Sequence, residues 1–254
     1  MLLLGAAPAM ADLDPTIPEL DRTAAVYKLR ATADVDSTIA GVERLLAALQ
    51  NEDVAAARQG WINARAGWER SEIFTGTLFP DLDKSIDSWP NGKTGFHAIE
   101  VKLFGRGGEL PVAETEALLQ KLKGFRDVYA KQSFSAHMVM VGLASLAFEI
   151  GESKAKGGES AISGTSLNDM QHNVEGLSSA WTIVFADYVA KKDHYAARDI
   201  GKQIDGLKAL VAVPSLDQVD PAKLEQQSET LAASFADVAV SFGWRAPGYT
   251  DTDE

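Results

Sequence analysis

Val35-Asp36-Ser37-Thr38-Ile39-Ala40-Gly41-Val42-Glu43-Arg44-Leu45-Leu46-Ala47-Ala48-Leu49 places Val35, Ile39, Val42, Leu46 and Leu49 at steps of four, three, four and three. That is the period of an amphipathic α-helix, not the strict alternation of a half-buried strand. The pattern spreads outward to predict a helix over about Leu20–Gln50. Asn51 reads as the cap of a second helix, about Glu52–Gly76, whose buried stripe takes in Val54, Trp61, Ala64 or Arg65, and Trp68. Further helices are expected at about Thr94–Phe104, Val112–Gln132, Ser133–Ser153, Ser166–Lys192, Tyr195–Val211 and Pro221–Phe242. Ser166 with Asp169 resembles a capping box at the start of one of them. No segment carries a strand period, so the fold class is all-α.

Gly105, Gly107, Gly108 and Pro111 form the strongest interruption. They predict an N-terminal helical lobe over 12–108 and a C-terminal helical lobe over 109–254, each bundle-like because short loops make neighbouring helices antiparallel. Thr77–Gly95 reads as a long irregular connection carrying Asp81, Asp83 and Asp87. A loop of that length in a compact domain is functional or disordered.

Composition narrows the chemistry. The 254 residues are 46% apolar, with nine prolines gathered at segment ends and no cysteine. Disulfides, thiolate catalysis and cysteine-ligated clusters are therefore excluded. The net charge of −12 with pI about 4.8 argues against nucleic acid, which needs a basic face, and suits cations. Mean hydropathy is −0.09, the value of a water-soluble protein. Residues 1–11 are apolar and end in Ala9-Met10-Ala11, the small-x-small pattern before a signal-peptidase cut. Export is expected, with a mature chain from near Asp12.

Three pairs share a spacing of three residues: His97 with Glu100, Glu69 with Glu72, and Glu149 with Glu152. Each pair lies on one helix face. Imidazole with several carboxylates is a hard, oxygen-rich donor set that suits iron, manganese, zinc or copper(II). The other histidines fit blander roles: His137 in a core or interface, His172 near a helix start, His194 exposed in a turn. His-Glu-x-x-His, the Gly-x-Ser-x-Gly elbow and a phosphate-binding P-loop are all missing.

Trp68-Glu69-Arg70-Ser71-Glu72, Asp81-Leu82-Asp83-Lys84-Ser85-Ile86-Asp87 and Thr94-Gly95-Phe96-His97-Ala98-Ile99-Glu100-Val101-Lys102-Leu103-Phe104-Gly105 follow one another as do the blocks of the imelysin-like family. Phe148-Glu149-Ile150, Lys156-Gly157-Gly158-Glu159 and Gln171-His172-Asn173-Val174-Glu175-Gly176 resemble its later blocks. Within the family the chain is most similar to the short periplasmic EfeO/EfeM iron-uptake branch, because it has no room for the cupredoxin-like domain of the long form. The resemblance implies two four-helix-bundle-like lobes with a metal site in the cleft between them. It implies His97 and Glu100 as the His-x-x-Glu metal ligands, joined by Glu69, Glu72, one of Asp83 and Asp87, and Glu149 from the second lobe. It further implies iron as the metal, with copper or zinc as alternatives, and no catalytic residues. The partners it implies are an inner-membrane iron permease and a periplasmic haem-peroxidase-like protein, as in an EfeUOB-type system. Two other readings follow from relatives: binding of alginate or another acidic polysaccharide, for which Lys154, Lys156, Lys191 and Lys192 could make a basic patch, and a metallopeptidase.

Overall fold

The computed structural model describes residues 14–87, 93–107, 109–152, 154 and 159–248. The expected leader and Lys156 lie outside the described residues. The regular structure of the described chain is helical apart from one isolated bridge, Asp87 to Gly95. Its helices are α1 (Pro18–Gln50), α2 (Val54–Leu78), α3 (Pro80–Ile86), α4 (Gly95–Phe104), α5 (Val112–Lys131), α6 (Ala136–Glu152), α7 (Ser166–Ala180), α8 (Ala186–Lys192), α9 (His194–Val211) and α10 (Pro221–Ser241). None of the described helices is long and apolar enough to cross a membrane.

The all-α expectation holds, and four local expectations change. Asn51 ends α1, where its amide donates to Ala47 O at 2.9 Å. The cap of α2 is instead Asp53, whose carboxylate accepts from Ala56 N at 2.9 Å. The aspartate-bearing connection contains α3, started by Pro80 at a position where no amide hydrogen is needed. The long helix expected to end near Lys192 is broken by a wider π-helical turn, Trp181–Phe185, between α7 and α8. The capping box is absent: Thr165 precedes α7, and Asp169 points elsewhere.

The α1 stripe buries Val35, Thr38, Val42, Leu45 and Leu49, with Ile39 and Leu46 half-buried beside them. The face is thus one residue wider than the apolar pattern implied. It lies on α2, the central helix, which also contacts α3, α4, α6 and α7. Burial of Trp61, Ala64, Trp68, Ile73 and Phe74 puts apolar side chains on nearly every face of α2, as a helix with neighbours all round requires. α6 comes closest at Gly142, where a Cβ would stand 1.9 Å from the Ile73 carbonyl oxygen. Beyond the glycine interruption α5 returns to α1, while α6 packs on α10 and α7 on α9. A division near residue 108 with a cleft between lobes stays a proposal.

The two ends of the described residues meet. Trp244 Nε1 donates to Pro15 O at 2.7 Å, and Arg245 N donates to Asp14 Oδ1 at 2.9 Å. His137 Nδ1 lies 3.2 Å from Asp14 Oδ2, and its ring packs 5.3 Å from that of Trp244.

Candidate metal centre

Three segments distant in sequence supply the site. α2 presents Arg65, Glu69 and Glu72 on one face, since steps of four and three stay on one side of a helix. α3 and α4 bring Asp87 and His97 together through the bridge at Gly95. Gly95 adopts φ +67°, and a Cβ there would stand 1.8 Å from Ile86 O. Only glycine takes that conformation in that space. The turn before α7 and α7 itself add Glu159, Ser160, Ser163, Asp169 and Asn173. Lys154 comes from just beyond α6.

Arg65 is fully buried at the centre. Its Nη1 donates to both Asp87 oxygens, at 2.6 and 2.8 Å. Its Nη2 donates to Glu69 Oε1, to Glu159 Oε1 at 3.0 Å and to Asp169 Oδ2 at 3.1 Å. The guanidinium stacks over Trp61 and Phe96, 5.6 and 5.5 Å from their ring centres. Lys154, 1% exposed, reaches Glu69 Oε2 at 3.0 Å, Glu72 Oε2 at 2.7 Å and Glu159 Oε2 at 3.1 Å. Asn173 Nδ2 donates to Glu69 Oε2 at 2.9 Å and Glu72 Oε2 at 2.7 Å.

His97 is held from one side. Its Nδ1 lies 2.8 Å from Glu100 Oε2, while Glu100 Oε1 accepts from Ser163 N at 2.8 Å and Ser163 Oγ at 2.7 Å. Glu100 therefore orients the ring and has both oxygens engaged. The other ring nitrogen, Nε2, is buried and lacks an aligned hydrogen-bond partner, although Asp87 Oδ1 stands 3.0 Å away and Glu159 Oε1 3.7 Å. Donor atoms of Asp87, His97 and Glu159 all lie within 4.8 Å of one another, as do those of Glu69, Glu72, Asp87 and Glu159. An imidazole nitrogen buried among carboxylate oxygens, the nearest at 3.0 Å, is a donor set that fits a cation.

Charge is unbalanced in favour of a cation. Among the described residues, the carboxyls of Glu69, Glu72, Asp87, Glu100, Glu159 and Asp169 face the cations Arg65 and Lys154, and His97. The cluster responds by shifting protons. Burial works against a charged His97, yet Asp87, Glu100 and Glu159 outweigh it and lift the ring to about 11. Burial, then repulsion from Glu69, holds Glu72 well above the usual carboxylate range. Burial is the largest influence on Asp169; Arg65 offsets part, Glu69 and Glu159 add to it, and the group rises to about 7. Burial also opposes ionisation of Glu159, but Lys154, His97 and Arg65 prevail and hold it well below its ordinary value.

Of the residues expected from sequence, Glu69, Glu72, Asp87, His97 and Glu100 come together. Asp83 sits to one side, with Oδ1 buried and without a hydrogen-bond partner. Burial, then the charge of Asp87, pushes it up to about 8. Glu149 stands at the exposed rim on α6. Crowding by surrounding atoms is the first cause of its rise to about 7, offset by Lys154 and reinforced by Glu159, Glu69 and Asp87. Water at the exposed rim screens part of that shift. The proposed basic patch loses Lys154, which is interior. Lys191 and Lys192 are exposed, the first paired with Glu19 and the second over the Tyr188 ring. His172 pairs with Glu175 and Arg70, and His194 is exposed.

Arg65, Lys154, Glu159, Asp169 and the serines were not anticipated as site residues. Arg65 left a trace, a charge on a stripe between Trp61 and Trp68. Glu159 entered only within a block that resembles the family and Lys154 only as part of a basic patch, since both stand in a glycine- and lysine-rich stretch that reads as surface loop.

Comparison with known proteins adds to this geometry. The family model described as imelysin, peptidase M75, matches residues 24–241. A curated relative from Pseudomonas syringae pv. syringae (strain B728a), named iron uptake system component EfeM, is 30% identical over 221 residues, 82% of this chain and 74% of the relative. A relative from Staphylococcus aureus (strain MRSA252), named Efem/EfeO family lipoprotein, is 26% identical over 241 residues, 89% of this chain and 82% of the relative.

Proposed function

The chain belongs to the imelysin family, and from that premise we propose that it is an exported, non-catalytic metal-binding component of an iron-uptake system. The names of its relatives support iron as the cargo and export as the destination. The observation that carries the reading is the convergence of buried His97 Nε2 with the carboxylates of Asp87, at 3.0 Å, and Glu159, at 3.7 Å. In this reading His97, Asp87 and Glu159 hold the ion, with Glu69 and Glu72 adjoining. Glu100 fixes the ring so that Nε2 points inward. Asp83 and Glu149 flank the site as further carboxylates. The metal is iron, with copper or zinc as competitors for the same donors. An inner-membrane permease and a haem-peroxidase-like protein complete the system, as in the EfeUOB type. A peptidase would need a substrate bond brought to the metal. Against that, His97, Glu69 and Arg65 are each at most 3% exposed.

Calorimetric titration of metal-free protein with Fe(III) citrate, Fe(II), Cu(II) and Zn(II) tests this. Glu100→Ala is expected to weaken binding about 10- to 100-fold, the usual effect of removing a group that orients a ligand. His97→Ala should weaken it further. Unchanged affinity in both variants overturns the assignment.

A further inference from the structure

Two permanent cations share the cluster, and they are held differently. Arg65 is mid-helix, bonded to Glu69, Asp87, Glu159 and Asp169 and stacked on two aromatic rings. Its planar fork is held by four carboxylates and two rings at once. Lys154 stands on a flexible unbranched stem, with a compact ammonium whose three donors go to Glu69 Oε2, Glu72 Oε2 and Glu159 Oε2 at 2.7–3.1 Å. Those three residues belong to the group of four whose carboxylate oxygens converge within 4.8 Å. The ammonium is thus seated on one oxygen of each of three carboxylates in the convergent group: Glu159, which the proposed ion would share, and Glu69 and Glu72 beside it.

We propose that Lys154 is an internal counter-cation that competes with the metal ion for Glu69, Glu72 and Glu159, so that loading the site expels its ammonium group. The inference rests on the reading that this cluster binds a metal ion. It follows from the chemistry of burial. Carboxylates so enclosed are costly without a cation, and the lysine supplies one when no metal is bound. When the metal arrives, the same carboxylates cannot fully serve both charges. Arg65 stays, because leaving would strip four carboxylates and two ring contacts at once. The lysine therefore lowers the affinity that the naked carboxylates would have, and lets the ion be released as the ammonium returns.

The test compares the full-length wild-type chain with Lys154→Met, titrated with Zn(II) and with Fe(III) citrate. Removing the competitor is expected to tighten binding about 5- to 150-fold, the usual size of coupling between linked sites. The metal-free variant should melt below the wild type, with the difference shrinking on loading. A purely structural lysine would weaken binding instead. Lys154→Met that binds no tighter, while the wild type binds, overturns the inference and leaves the metal reading standing. Absence of binding in both proteins overturns the metal reading, and the inference with it. Should Lys154→Met fail to fold, the wild type decides. With an amine-acetylating reagent read by mass spectrometry, Lys154 is expected to be protected without metal and labelled after Zn(II) loading, while exposed Lys202 is labelled equally in both. Protection of Lys154 in the loaded protein overturns the inference.

Discussion

Arg65 neutralises carboxylates from α2, the α3–α4 connection, the turn before α7 and α7 itself. Breaking a buried ion pair by deleting one partner leaves uncompensated charge, which costs about 3–5 kcal/mol. Arg65→Met is therefore expected to lower the stability of the metal-free protein by about that amount, read from urea unfolding. A loss below about 1 kcal/mol, the size of an exposed pair, would show that the guanidinium is dispensable. The residue scale also shows where the amino-acid sequence runs out. Glu69, Glu72, His97 and Glu100 were legible because each pair shares a helix face, and helical spacing is a local property. Glu159 and Asp169, two of the four carboxylate neighbours of Arg65, were not, since they reach it across 94 and 104 residues of chain. Nothing local in Glu159 marks it as buried. Only the packing of α7 on α2 does so.

At the scale of elements, helix period, proline and glycine placed every long helix within a few residues. α3 and the π-helical turn escaped that reading. α3 is one short stretch led by a proline among residues that also suit loops. The π-helical turn has no local signature. It keeps Trp181 and Phe185 in the core, and Thr23 Oγ1 on α1 donates to Val184 O at 3.0 Å. Close approach of helices gives a paired test. Gly142→Ala drives a methyl into the Ile73 carbonyl and should cost about 1–3 kcal/mol. Gly124→Ala on the open face of α5 meets nothing within 4 Å and should add up to about 1 kcal/mol of stability, by better helix propensity alone. Thermal melts of the two variants should move in opposite directions; equal shifts would contradict the packing of α6 on α2.

The whole molecule is closed by the contacts of Asp14 with Arg245 and His137. Burial raises the Asp14 carboxyl, but the Arg245 amide, the His137 charge and the Arg245 guanidinium together bring it below its ordinary value. A depressed carboxylate stabilises the fold at pH above its unfolded value, near 3.8, and that contribution is lost as pH falls through the lower folded value. Asp14→Asn should therefore be less stable than wild type at pH 7, by about 1 kcal/mol, and the gap should narrow as pH falls below about 3.8. A gap in urea midpoint that stays constant as pH falls through that range would mean the carboxylate charge is not what matters. The same closure has a topological consequence. Pro15 and Trp244 are in direct contact, so a short linker can join the two ends of the described residues, and the exposed turn at Asn51–Asp53 can be opened in their place. Such a circular permutant would run from α2 through α10 directly into α1, keeping Arg65, His97 and Glu159 in one uninterrupted stretch of chain.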